Sequence, residues 1–116
     1  MQKIWLTQYP AGVPAEAATG RYASLNALLD DSFRRHKDLT AYRFMGAGFS
    51  FAEVDDASRA LAAWLQGQGL QRGDRVAIMM PNIPQYPVAV AAILRAGFVV
   101  VNVNPLYTPR ELEHQL

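Results

Sequence analysis

A chain of 116 residues has room for one domain of ordinary size, and a hydrophobic share of 51% beside 18% charged residues supplies a core and excludes wholesale disorder. Eleven basic against ten acidic side chains leave a net charge of +1, too even for a nucleic-acid or polyanion surface. Cysteine is absent, which removes disulfide scaffolds, thiol catalysis and thiolate metal sites together and fits a reducing interior; two isolated histidines, His36 and His114, do not by themselves build a metal cluster.

The start, Met1 to Trp5, is not followed by the continuous apolar stretch of a secretory signal, because Gln8, Pro10, Gly12, Pro14 and Glu16 interrupt it. Residues 1–23 scatter Trp5, Tyr9 and Tyr22 among prolines and glycines, the pattern of an extended arm rather than a helix. Ser24 is placed to cap a helix of about three turns with Leu25, Leu28, Leu29 and Phe33 on one face. Arg34, Arg35, His36 and Lys37 close it with positive charge suited to the negative end of the helix dipole. Thr40–Met45 reads as a strand, Gly46-Ala47-Gly48 as a reversal and Phe49 as the start of a short return.

Ser50 and Glu53 have capping-box spacing, so a second helix begins there, with an expected apolar stripe of Val54, Ala57, Leu61, Trp64 and Leu65 ended by Gly67 and Gly69. Gln71–Asp74 is a turn. Arg75–Met80 follows as a strand without polar alternation, which implies cover on both faces, the habit of parallel strands. The greasiest stretch, Pro87–Val103, is split by Arg95 and Gly97 into pieces too short for a spanning helix, which needs about 20 unbroken apolar residues. The first piece is read as a buried helix, Pro84–Ala96, with helix-stop chemistry at Arg95-Ala96-Gly97, and the second as a strand, Phe98–Val103. Strand, helix and strand make a βαβ unit with an expected right-handed crossover. Thr108-Pro109-Arg110-Glu111 then repeats the helix-start recipe, with Leu112 and Leu116 a turn apart.

The expected fold class is therefore α/β: a small hairpin plus a parallel βαβ unit flanked by helices, with an incomplete sheet. Open α/β sheets run to about five or six strands. The expectation is an arm, 1–23, and the beginning of a large α/β domain, 24–116, cut from a longer protein; a small natural domain with a fraying last helix is the other reading. A soluble protein, at most resting on a membrane surface, fits this pattern.

Candidate chemistry is sparse. No phosphate-binding G-x-x-x-x-G-K-[ST] loop, G-x-G-x-x-G, G-x-S-x-G or H-E-x-x-H occurs, and Gly67-Gln68-Gly69 follows a helix instead of a strand. Pro81-Asn82 and Asn104-Pro105, at the carboxyl ends of the parallel strands, stand where open α/β sheets gather ligands, although asparagine and proline also end strands. Tyr107 is read as a staple for the helix behind it. Asp55 and Asp56 point about 100° apart on a helix, so they are read as a solvated face and not a carboxylate pair. His36 complements a helix end, His114 lies on an exposed face, and Arg34, Arg35 and Lys37 form at most a weak patch for acidic lipid or protein. From these residues no catalytic, cofactor-binding or metal-ligating group is assigned.

The segments IWLTQYPAGVPAE, FSFAEVDDASRALAAWL and GDRVAIMMPNIPQYPVAVAAILRAGFVVVNVNPLYTPRELEHQL together resemble bacterial long-chain fatty acyl-CoA synthetases of the AMP-forming adenylate superfamily, and the resemblance runs over the whole chain as their amino-terminal segment. It implies a ligase that joins a fatty acid to CoA through an acyl-adenylate, using ATP and Mg²⁺ and releasing AMP and pyrophosphate. It also implies that the phosphate loop, nucleotide contacts and catalytic lysine fall beyond position 116. On that footing this piece alone binds no cofactor tightly and is inactive. The resemblance further implies a homodimer formed through the amino-terminal region; the even charge predicts no nucleic-acid partner, and a cytoplasmic protein with room for peripheral contact at the inner membrane is expected. A non-catalytic α/β interaction module, or an adenylating ligase for medium-chain or aryl acids, remain the alternatives.

Overall fold

The computed structural model describes residues 3–116. The arm carries a short 3₁₀ helix, Ile4–Gln8, which the proline- and glycine-based expectation of an extended segment did not include; the rest of residues 9–24 is irregular. Thr7 Oγ1 donates to the Ile4 carbonyl at 2.8 Å, a local bond that supports such a turn without a hydrophobic face to bury.

Helix α1, Leu25–His36, starts where the sequence places it, with Ser24 Oγ accepting the Ala27 N–H at 3.1 Å. Its apolar face differs from the expected one. Only Phe33 is buried and Leu29 partly so, while Leu25 stays 63% exposed and Leu28 38%. Strands β1, Thr40–Phe44, and β2, Ala47–Ser50, form the antiparallel hairpin. The reversal sits one step earlier than expected, at Met45-Gly46, both with positive φ (49° and 83°), because Phe44 pairs directly with Ala47.

Helix α2, Phe51–Gln66, opens with the full capping box: Ser50 Oγ accepts from the Glu53 N–H, and the Glu53 carboxylate accepts the Ser50 N–H at 2.7 Å. Its buried side is Val54, Ser58, Ala62 and Leu65. The expected stripe was therefore rotated, since Ala57 and Trp64 face outward, Trp64 at 60% exposure. A serine at the centre of the buried face disguised its direction.

Strands β3, Arg75–Ile78, and β4, Val99–Asn102, pair in parallel with Val76 opposite Val100 and Ile78 opposite Asn102. Between them lies helix α3, Gln85–Ala96. It ends in a Schellman motif: Phe98 N–H donates to the Ile93 carbonyl at 3.0 Å, Gly97 N–H to Leu94 at 3.1 Å, and Gly97 takes φ 90°. Cover on both faces of this pair does not materialise among the described residues. Val76, Ile78 and Val100 pack under α3, whereas Ala77 and Val99 on the other face are exposed. Helix α4, Pro109–Gln115, has its own capping box between Thr108 and Glu111 and buries no residue.

The core divides in two. One cluster joins α2, α3 and the parallel pair through Ala62, Leu65, Ile78, Ala92, Ile93 and Phe98; the other joins Phe33, Val54 and Ala91, with Phe51 and Ala41 packed against it.

Candidate functional site

The hairpin, the segment that follows β3 and the start of α3 border a cleft of about 240 Å³ whose walls include Tyr42, Phe44, Asn82, Ile83, Pro84 and Tyr86. Asn82 thus borders this crevice, whereas Asn104, at the matching end of β4, is not among its walls. Tyr86 crosses to the neighbouring strand end, its hydroxyl donating to Asn102 Oδ1 at 2.6 Å, and Gln115 Nε2 donates to the Asn102 carbonyl at 2.7 Å. These bonds tie the head of α3 and the end of α4 to the tip of β4.

Asn104 is occupied with the backbone. Its Oδ1 accepts the Leu106 N–H at 3.0 Å and its carbonyl accepts the Tyr107 N–H at 3.1 Å, a turn that delivers the chain to α4. Tyr107, with Thr108, Arg110, Glu111 and His114, borders an open depression along α4, and α4 buries no residue for it to staple. His36 packs against Phe51 with the rings tilted by 51° and their centroids 5.7 Å apart. Arg34 and Arg35 both pair with Asp31, so the basic patch is partly neutralised from within its own helix. The Tyr22 hydroxyl donates to the same carboxylate at 2.7 Å; that bond and the two arginines outweigh burial and hold Asp31 below its ordinary pKa.

Asp55 is not part of a solvated face. Asp56 is exposed, but Asp55 turns inward to meet Arg95 at 2.6 Å and Arg59 at 3.0 Å. Arg95 also donates to Ser58 Oγ at 3.0 Å, to the Asp55 carbonyl at 3.2 Å and to Asp30 at 3.0 Å, and lies 5.7 Å over the Phe33 ring. Burial pushes the Asp55 carboxyl up, yet the hydrogen bonds from Arg95 and Arg59 prevail and its pKa is lowered. Reading Arg95 only as a helix stop missed this junction. The signal was present: an arginine inside an apolar helix needs an acceptor.

The described residues do not fit a magnesium-bound triphosphate. No group of three or more histidine, aspartate or glutamate side chains is arranged to hold a metal among them. The carboxylates of Asp30, Asp31 and Asp55 are taken by arginines, and those of Glu53 and Glu111 by helix caps. No helix of the described residues is long and apolar enough to cross a membrane.

Helices α1 and α2 packed against a parallel βαβ unit define an α/β segment. The chain belongs to the AMP-binding enzyme family, whose model matches residues 29–116. It is 58% identical to a long-chain-fatty-acid–CoA ligase of Salmonella typhimurium and 56% to that of Yersinia pestis, in each case over all of this chain and 21% of the relative. The chain thus spans about a fifth of the length of these relatives. Among solved structures, the Klebsiella oxytoca NpsA N-terminal subdomain in complex with 3-hydroxyanthranilyl-AMSN superposes with a TM-score of 0.77 at 29% identity, covering 80% of this chain and 24% of that one.

Proposed function

We propose that these residues open an ATP-dependent long-chain fatty acid–CoA ligase, with residues 24–116 forming the beginning of its large α/β adenylation domain and residues 1–23 an arm. The observation that carries the reading is identity of 56–58% sustained along the entire chain with ligases of that name. The whole protein takes a fatty acid, ATP with Mg²⁺, and CoA, and returns acyl-CoA, AMP and pyrophosphate. The side chains that would hold metal, nucleotide and thiol belong to other parts of the polypeptide; here the carboxylates of Asp30, Asp31 and Asp55 are engaged by arginines. The arm supports a homodimer, because exposed Trp5 and Tyr9 offer aromatic area at low entropic cost. A cytoplasmic location with peripheral contact at the inner membrane fits a soluble enzyme with an apolar substrate.

The test is an acyl-CoA assay on the complete polypeptide that carries these residues, with acids of graded length. Thioester formation that rises toward long chains is expected. Turnover confined to aryl or medium-chain acids would reassign the substrate, and no adenylation of any acid would leave the interaction-module reading in its place. Removal of residues 1–23 is expected to lower the mass seen by light scattering; an unchanged mass would remove the arm from the dimer contact.

A further inference from the structure

Helix α1 is fastened to the molecule differently from its neighbours. The larger core cluster contains no residue of α1, and α1 buries one side chain, Phe33, whereas α3 buries five. The bonds that cross from α1 to α3 are polar and gather at the end of α3: Asn26 Nδ2 donates to the Leu94 carbonyl at 2.9 Å, and Arg95 donates to Asp30 at 3.0 Å. The preceding residues travel with α1, because the Tyr22 hydroxyl is bonded to Asp31. At its other end the chain is pinned: the first N–H groups of α2, on Phe51 and Ala52, donate to the carbonyls of Leu39 and Lys37, each at 3.0 Å.

We propose that α1 and the residues before it form a strap that opens as a unit about a pivot at residues 37–39, leaving the α2–α3–sheet core folded. The chemistry of Arg95 makes the opening inexpensive. When α1 departs, Arg95 loses Asp30 and the Phe33 ring but keeps Asp55, the Asp55 carbonyl and Ser58, so no bare charge is left in the interior. The apolar contacts that are lost belong to the smaller cluster, where Phe33 meets Val54 and Ala91, Leu29 packs beside them, and the Phe33 and His36 rings lie against Phe51. Opening is therefore a sub-global event of the kind that amide exchange separates from global unfolding. It uncovers an apolar seat between α2 and α3.

The experiment is amide hydrogen exchange, read by mass spectrometry, on the complete polypeptide and on two variants, Asp30→Ala and Asn26→Ala. Alanine is the better helix former at both positions, so faster exchange reports lost docking and not a weaker helix. Residues 25–36 of the parent should exchange faster than residues 85–96. Each variant should accelerate exchange in 25–36 by about fivefold or more while 85–96 stay unchanged. Equal acceleration in both segments would make α1 an integral part of the core and overturn the strap. Unchanged exchange in 25–36 for both variants would overturn it as well.

Discussion

Replacing Arg95 by methionine keeps the aliphatic bulk over Phe33 and removes every hydrogen bond to Asp55, Asp30 and Ser58. Asp55 retains Arg59, which softens the loss, so destabilisation of about 2 kcal/mol is expected from denaturant melts. A change below about 0.5 kcal/mol would mean the junction contributes only geometry. The same carboxylate predicts an acid limb. Its pKa is lowered in the folded state, so in the unfolded chain it binds a proton first as pH falls. Its contribution is whole above the ordinary carboxylate range and is lost as pH drops through the folded value. Thermal melts of Asp55→Asn should therefore lose less stability than the parent between pH 5 and about pH 2, and parallel acid limbs would refute the assignment. That Arg95 needs an acceptor could be read from the sequence, but its partners could not, because Asp30 and Asp55 both lie far away along the chain. The hairpin tip offers a simpler residue-scale test. Met45 holds φ 49° at 90% exposure, a conformation asparagine adopts more readily. Met45→Asn should stabilise the fold by about 0.5–1 kcal/mol, seen as a higher melting temperature.

Helix starts were legible because they are written in consecutive residues. Ser24, the Ser50–Glu53 box and the Thr108–Glu111 box all cap the helices they announce, and the Arg95-Ala96-Gly97 ending closes as a Schellman motif. Helix faces were legible only in part, because they depend on what lies opposite. In α2 the expected stripe favoured Trp64 by size, yet the close approach of α3 selects small residues. Ala62 faces a helix whose own contact side is Ala89, Ala92 and Ala96. Two alanine-lined helices approach closely, and a tryptophan has no room between them. Ala92, with no exposed surface, should not accept a larger side chain, and Ala92→Leu is expected to cost about 1–3 kcal/mol through overpacking. Trp64→Ala, removing a far larger group from an exposed site, should change stability by about 0.5 kcal/mol or less. Chemical denaturation of the two variants side by side decides it, and the reverse order would restore the expected stripe. The place of Asn82 after a parallel strand was legible from topology, whereas the crevice it borders takes its other walls from Tyr42 and Phe44, on a hairpin separated in sequence.

At the scale of the molecule, the Cα radius of gyration is 17.8 Å, against about 13 Å for a compact chain of this length. The excess has identifiable sources. Among the described residues the arm holds no buried one, α4 holds none, and the parallel pair is covered on one face only. The apolar run Val99–Val101 was expected to be sandwiched, and half of that expectation rests on cover that the described residues do not supply. Large apolar side chains left in water therefore cluster by region: Ile4 and Trp5 on the arm, Met79 and Val99 on the open sheet face, Leu106 and Leu116 around α4. Val99 at 45% exposure beside unpaired strand edges is the arrangement that templates association. The 116-residue chain purified by itself is accordingly expected to associate, its light-scattering mass rising above that of one chain as concentration increases. It should also fail to exchange pyrophosphate into ATP, because Asp30, Asp31 and Asp55 are held by arginines, Glu53 and Glu111 by helix caps, and no group of three or more acidic or histidine side chains is arranged to hold a metal among the described residues. The complete polypeptide should do the converse, exchanging pyrophosphate and settling at one defined mass. A dilute, monodisperse single chain would show that the open sheet face is stable in water as it stands, and exchange activity in the short chain would place the adenylating groups within these residues.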